Sequence, residues 1–228
     1  MTSTTLYWIL FLGIALASWI VSFSLKRKFE RYSKIGLPMT GRDVAEQMLH
    51  DHGIYDVQIT CIEGQLTDHY NPETKIVNLS ESVYNGANVA AAAVAAHECG
   101  HAVQHAEAYA PLKMRSALVP IVSFSSKWMT WILLIGMFTL HTFPQLLLIG
   151  ICLFATTTIF SFITLPVEVN ASQRAVNWLR EAGITDNETT EMASDALHSA
   201  AYTYVVAALS SLASLIYYIL VFMGGSKR

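Results

Sequence analysis

The stretch Asn88–Ala106 reads NVAAAAVAAHECGHAVQHA, and its alanine content predicts a helix. Residues 97–101 within it have the form H-E-x-x-H. Two histidines four positions apart lie on one face of a helix, so their imidazoles can bind a single ion. The glutamate after the first histidine can then act on the open side of that ion. The pattern predicts a zinc hydrolase site with His97 and His101 as ligands and Glu98 as general base.

A pattern with three fixed positions also occurs by chance, so its context has to decide. The competing interpretation is a pair of surface histidines on an amphipathic helix. Gly100 is a poor helix former placed between the two histidines, and a close approach by backbone or substrate would explain it. We therefore favour the metal site.

The composition is that of a membrane protein, with 53% hydrophobic and 14% charged residues against a soluble average of about 25% charged. An apolar stretch of about 20 residues can cross the hydrocarbon core as a helix. Four such stretches are predicted to span: Leu6–Leu25, Phe124–Leu140, Gln145–Leu165 and Tyr204–Met223. The second has a re-entrant or interfacial helix as its alternative, because Pro120 and several serines blur its start.

Positive charges indicate the orientation of the chain. Lys26, Arg27 and Lys28 directly follow the first apolar stretch, whereas a signal peptide would carry such charges before it. This basic end should be cytoplasmic. We expect a multi-pass cell (inner) membrane protein with its N-terminus outside and its catalytic site facing the cytoplasm. Lys227 and Arg228 would then lie outside, against the same tendency.

The apolar stretches divide the chain into five segments. Residues 6–25 form a transmembrane helix, 26–116 a soluble part with the H-E-x-x-H helix, and 117–165 a transmembrane hairpin. Residues 166–203 form soluble helices, and 204–223 the last transmembrane helix. The predicted fold is a predominantly α membrane protein with a zincin-like α+β region, a small sheet plus the H-E-x-x-H helix, at the cytoplasmic membrane surface.

Local signals predict the elements of the soluble parts. Thr40 can cap a helix over Arg42–His52. Two alternating stretches, Asp56–Ile62 and Lys75–Leu79, predict strands, and Asn71–Glu73 between them is typical of a turn. The second strand could present an open edge to an extended peptide, or it could be an interior strand.

The second soluble part has its own helix signals. Pro166 suits a helix first turn, and Gly183 suits a helix end. Thr185 and Glu188 predict a capping box for the next helix.

A zinc site of this kind needs a third protein ligand. The predicted hairpin returns the chain to the side it left, and Glu168 follows three residues later. The alternative role for Glu168 is a favourable charge at a helix N-terminus, worth about 0.3–1 kcal/mol. Other carboxylates lie in more polar, solvated patterns: Glu181, Glu188, Glu191 and Asp195. We predict Glu168 as the third ligand of one zinc ion per chain.

Other reactive residues receive lesser roles. His105 lies one turn beyond His101 and is interpreted as a residue near the ligands or facing solvent, because a straight helix does not easily bring three such residues to one tetrahedral ion. His69 is interpreted as a turn residue. Oxyanion stabilisers could come from a later group, namely Arg174, His198 and Tyr202. The cysteines suggest no disulfide framework: Cys61, Cys99 and Cys152.

Several motifs together resemble the YugP-type family of neutral zinc metallopeptidases. They are residues 95–104, AAHECGHAVQ, residues 165–175, LPVEVNASQRA, and residues 66–72, LTDHYNP. A more distant similarity is to the HtpX-like membrane proteases, which pair H-E-x-x-H with a downstream glutamate. The resemblance implies a gluzincin. In gluzincins an aspartate often follows the glutamate ligand by four positions, but here that position is Ser172, with Asn170 nearer, which leaves the partner of the zinc histidines open.

Two classes of function remain from the sequence. The first is a zinc endopeptidase that hydrolyses membrane or membrane-proximal polypeptides. The second is a zinc-stabilised holdase or scaffold that binds such polypeptides without cleaving them, and a scaffold would not need Glu98. The expected partners are a polypeptide substrate and the lipid bilayer. No basic stripe suggests nucleic acid, and nothing indicates the oligomeric state.

Overall fold

The computed structural model describes residues 3–225, and within that range the chain has seven helices and three strands. The helices are α1 (Ser3–Tyr32), α2 (Gly41–Asp51), α3 (Glu81–Tyr84), α4 (Val89–Ala106), α5 (Ala110–Phe138), α6 (Pro144–Glu181) and α7 (Asn187–Gly225). The strands are β1 (Gln58–Ile62), β2 (His69–Asn71) and β3 (Ile76–Ser80). The expectation for Lys227 and Arg228 falls outside the described residues.

Four of these helices are long and apolar enough to cross a membrane, and this number of candidate spans equals the predicted one. They are Trp8–Tyr32 within α1, and the whole of α5, α6 and α7. Helix α5 runs unbroken through Pro120 for 29 residues. Because about 20 residues suffice to span, this length favours a span over a short re-entrant segment.

The described chain forms two compact units. The apolar unit contains residues 3–20, 114–165 and 203–225, and the mixed unit contains residues 21–113 and 166–202. In the apolar unit, α5 and α6 pack closely at Gly136, where a Cβ would lie only 2.7 Å from the backbone of Leu147. A small cluster of buried side chains surrounds this approach: Leu133, Leu140, Leu147 and Ile151.

Helix α4 is the centre of the mixed unit. Fourteen of its 18 residues are buried, and half of those are alanines. Small side chains let neighbouring elements approach its backbone closely, so α4 can be enclosed by the rest of the unit. Asn88 caps its start by accepting a hydrogen bond from the Ala91 amide. Thr40 caps α2 in the same way, as predicted, and the Asp43 side chain completes a capping box that was not predicted.

The sheet has three strands in the order β1-β3-β2. Strand β1 is parallel to β3, and β2 is antiparallel to β3. The predicted turn is present between β2 and β3, where the Asn71 side chain accepts hydrogen bonds from the Glu73 and Thr74 amides. Strand β2 was not predicted from the sequence, because three residues are too few to show an alternating pattern.

The expectation of an open edge along Lys75–Leu79 is wrong. Strand β3 is paired on both sides, by β1 and by β2, so it has no free edge for a peptide. The short strand β2 accounts for the error, since it occupies the side of β3 that the sequence left unassigned.

The expectation that a helix begins at Pro166 is also wrong. Helix α6 continues through Pro166 for 38 residues. A proline inside a helix removes one hydrogen bond, but apolar surroundings keep the remaining backbone groups paired within the helix. Glu168 therefore lies in the interior of α6 and has no helix N-terminus to stabilise.

The boundary between α6 and α7 is partly as predicted. Gly183 has a positive φ of 68° and lies just after α6, as expected for a residue that ends a helix. The cap of α7 is Asp186 rather than Thr185. Asp186 and Thr189 exchange hydrogen bonds between side chain and backbone in both directions.

Candidate metal centre

Helix α4 places His97 and His101 side by side, as their spacing predicts. Their rings lie 4.8 Å apart between centroids and are nearly perpendicular. His101 is buried and His97 is partly exposed. The two imidazoles therefore lie together on one face of α4, and His97 is the more exposed of the two residues.

Helix α6 brings Glu168 to this point. Its Oε2 lies 3.3 Å from His97 Nε2 and 3.5 Å from His101 Nε2. The Glu168 side chain is almost fully buried. Among residues 3–225, these three form the one group of histidine, cysteine and carboxylate side chains with the spacing of a metal site.

The donor set and its spacing fit zinc. Zinc binds imidazole nitrogens and carboxylate oxygens at about 2.0–2.2 Å in tetrahedral geometry, so neighbouring ligand atoms should lie roughly 3.4 Å apart. The two distances from Glu168 agree with that value. Two neutral imidazoles and one carboxylate also leave a fourth position for water, as in catalytic zinc sites.

The negative charges of Glu98 and Glu168 beside the two histidines also suit the binding of a cation. Burial, the largest influence, lowers the pKa of His101, but the hydrogen bond to Glu168 and the charges of Glu98 and Glu168 outweigh it and raise the pKa overall. Two carboxylates therefore favour positive charge at the His101 ring. The same two carboxylates would attract a divalent cation bound between the histidines.

A second side chain forms a hydrogen bond with the Nδ1 atom of each histidine, on the side of the ring away from Glu168. Ser172 Oγ lies 3.1 Å from His97 Nδ1, and Gln104 Oε1 lies 3.0 Å from His101 Nδ1. With Nδ1 bonded in this way, each ring directs Nε2 toward Glu168. Ser172 therefore occupies the place where gluzincins often have an aspartate.

Glu98 is buried and is fixed by the sheet. The backbone amide of Tyr70, in β2, donates a 3.0 Å hydrogen bond to Glu98 Oε2. The hairpin that carries Tyr70 is tied at its other end, where Asp68 accepts hydrogen bonds from the Ser80 amide and hydroxyl. Strand β2 thus positions the predicted general base.

Gly100 permits the close approach of the two helices that carry the candidate ligands. A Cβ at this position would lie 2.8 Å from the carbonyl oxygen of Ala171 in α6. The prediction of close backbone approach at Gly100 is confirmed, and the approaching element is the helix that carries Glu168.

The remaining candidates lie outside this group. His105 contacts the Tyr70 hydroxyl at 3.0 Å. His69 is exposed and contacts the Thr67 carbonyl and the Asn78 amide group, in keeping with a role in the turn. Arg174 pairs with Glu107 at 2.7 Å.

The last residues singled out in the sequence are His198, Tyr202 and Cys99. His198 contacts Ser194, and Tyr202 is exposed. Cys99 faces the Ala45 carbonyl inside the core, where burial raises the pKa of its thiol. This placement agrees with a packing role.

Three features of the site were not found from the sequence: the Ser172 and Gln104 contacts with the histidine rings and the Tyr70 amide bound to Glu98. The first two residues lie in the motifs quoted above, so position alone could have drawn attention to them. A backbone amide leaves no signal in the sequence.

The site and the four apolar helices are those expected of a membrane-bound zinc metallopeptidase. The chain belongs to the family described as "putative neutral zinc metallopeptidase", whose model matches residues 7–223. It is 41% identical over 215 residues to "Putative membrane protease YugP" of Bacillus subtilis (strain 168), covering 93% of this chain and 94% of that protein. No solved structure matches the chain. The family resemblance seen in the motifs is therefore confirmed.

Proposed function

We propose that the protein is a gluzincin-type endopeptidase that hydrolyses peptide bonds of membrane or membrane-proximal polypeptides. The observation that carries this proposal is the meeting of Glu168 Oε2 with both histidine Nε2 atoms, beside a buried Glu98. His97, His101 and Glu168 would hold one zinc ion per chain. Such an ion supplies Lewis acidity, which lowers the pKa of a bound water to about 7 and polarises a peptide carbonyl.

The chain's own part in the chemistry is proton transfer by Glu98. Its Oε2 is held by the Tyr70 amide, so Oε1 is the atom proposed to take the proton of the attacking water. The same carboxyl group then gives the proton to the leaving amine. The fixed position of β2 supports this role, because a general base must be held within hydrogen-bond reach of the proton it removes.

The four apolar helices support a substrate at the membrane. A protease anchored by four helices meets polypeptides in or near the bilayer more often than free soluble proteins. We propose that the zincin-like mixed unit, with the catalytic site, lies on the cytoplasmic side of the cell membrane. The positive charges that directly follow the first apolar stretch support this orientation.

Cysteine labelling in intact cells tests the orientation. Cys61 and position 187 are both exposed, so single-cysteine proteins with Cys61 alone or with Asn187→Cys alone can be compared. Both should resist an impermeant reagent until the membrane is opened. Labelling of both in intact cells would invert the orientation, and labelling of one alone would contradict the four-span topology.

The activity is tested by Glu98→Gln in the purified, zinc-loaded protein. The variant should keep its zinc and lose peptide cleavage by about 10²–10⁴-fold, the usual contribution of a general base. Glu73→Gln is a matched control, since Glu73 is exposed in the turn before β3. Cleavage that survives Glu98→Gln, or a zinc-loaded wild type that binds polypeptides and never cleaves them, would favour the scaffold function instead.

A further inference from the structure

Gln104 is a polar residue that lies in the buried interior, where glutamine is uncommon. It lies on α4 one turn beyond His101, and its side chain is completely buried. A buried amide is costly unless all its groups are paired. In this chain both ends of the Gln104 amide have partners, and these partners belong to the metal centre.

The oxygen end of Gln104 faces the ligand His101, with 3.0 Å between Oε1 and Nδ1. The nitrogen end faces α6, with Nε2 donating to the Val167 carbonyl at 2.8 Å and to Asn170 Oδ1 at 2.9 Å. Val167 directly precedes Glu168. One side chain therefore connects the helix that carries two ligands with the backbone beside the third.

The direction of every hydrogen bond in this chain of contacts follows from Arg174. A guanidinium has only donors, and Arg174 Nε donates to Asn170 at 2.8 Å, so Asn170 must present its oxygen. Gln104 must then present its NH2 group to Asn170 and its oxygen to His101. His101 must carry a hydrogen on Nδ1, so Nε2 is the ring nitrogen that faces Glu168 and that binds a cation once a cation replaces its proton.

Arg174 is itself held in place. Its guanidinium pairs with the Glu107 carboxylate at 2.7 Å, at the end of α4. The contacts thus run from α4 through Arg174, Asn170 and Gln104 and return to α4 at His101.

We propose that Gln104 is a positioning residue for the metal centre, set in orientation by Asn170 and Arg174. It keeps a hydrogen on Nδ1 of His101, so that Nε2 is the nitrogen available to a cation. It also fixes the position of α6 along α4 at which Glu168 meets the two histidines. This inference rests on the proposed zinc function, which it deepens by naming the residue that aligns ligands from two helices.

Gln104→Met tests the inference, because methionine has nearly the same volume and makes none of these hydrogen bonds. The zinc dissociation constant, from competition with a chelator, should rise by about 10–100-fold, the usual effect of losing a partner of a metal-bound histidine. The visible spectrum of the cobalt-loaded protein should change as well, since it reports ligand geometry. Gln173→Met is the matched control on the exposed face of α6 and should match wild type in both measurements.

A second pair of variants covers the case in which Gln104→Met does not fold. Asn170→Leu removes the acceptor for Gln104 and Arg174, and it should weaken zinc binding by about threefold to tenfold, the value of one or two hydrogen bonds. Asn170→Asp keeps an oxygen acceptor for both donors and should bind zinc at least as tightly as wild type.

The outcomes separate this inference from the proposed function. A wild-type protein that binds no zinc would overturn the function. A wild type that binds zinc, together with an unchanged dissociation constant and cobalt spectrum in Gln104→Met, would overturn the positioning role alone. If that variant does not fold, equal zinc affinity of wild type and Asn170→Leu would do the same.

Discussion

The two helices that supply the candidate ligands, α4 and α6, encode their parts of the site in different ways. Helix α4 is an alanine-rich helix of 18 residues that carries two candidate ligands and the proposed general base within five positions. Helix α6 has 38 residues, is apolar over much of its length and contributes a single candidate ligand. The first contribution depends on helical spacing and the second on how the chain folds back, so only the first is local.

The pair His101→Ala and His105→Ala sharpens the account of α4. Both residues lie on the same side of the helix, but only His101 lies at ligand distance from Glu168. His101→Ala should weaken zinc binding by more than the 10–100-fold typical of losing a partner of a ligand. His105→Ala should leave the dissociation constant unchanged. Equal losses in both variants, measured by chelator competition, would contradict the assignment of ligands along α4.

Gly100→Val tests whether the two helices must approach closely. A Cβ already meets the backbone of Ala171 at 2.8 Å, and backbone cannot move aside as a flexible side chain can. We expect a loss of about 1–3 kcal/mol or more in the free energy of unfolding, together with weaker zinc binding. Gly13→Val is the control, because a Cβ at this helical glycine meets nothing within 4 Å. Matching stabilities for the two variants, from denaturant or thermal unfolding, would refute the close approach.

Ser172→Ala is expected to have the smallest effect of these changes. It removes the partner of His97 Nδ1 while leaving all three ligands in place, so zinc affinity should fall by about tenfold. Ser33→Ala, at an exposed serine after α1, should have no effect. If chelator competition gives the same affinity for Ser172→Ala and wild type, Ser172 does not orient His97.

The difference between the two helices also explains what the sequence could predict. The placement of His97 and His101 follows from helical periodicity, and the cap at Thr40 follows from local chemistry. The role proposed for Glu168 depends on how the chain folds back, and the predicted hairpin suggested it. The predicted helix start at Pro166 was wrong, since α6 continues through that residue. The order of the segments was enough, because an unbroken α6 carries Glu168 to the same place.

The remaining features depend on tertiary contacts that no local pattern records. Strand β2 has three residues and exists because β3 pairs with it. The Tyr70 amide reaches Glu98 only when that strand is formed, and Gln104 reaches Val167 only when α4 and α6 are packed. The contacts of Glu98 and Gln104 join residues 28 and 63 positions apart in the chain, so they follow from packing rather than propensity.

The central claim is that α4 and α6 together bind one zinc ion, and the zinc content of Glu168→Ala tests it most directly. Elemental analysis of purified wild type should give one zinc per chain, and Glu181→Ala, an exposed carboxylate at the end of the same helix, should match it. Glu168→Ala should retain its helical content and lose most of its zinc. Unchanged zinc content and affinity in that variant would contradict the account.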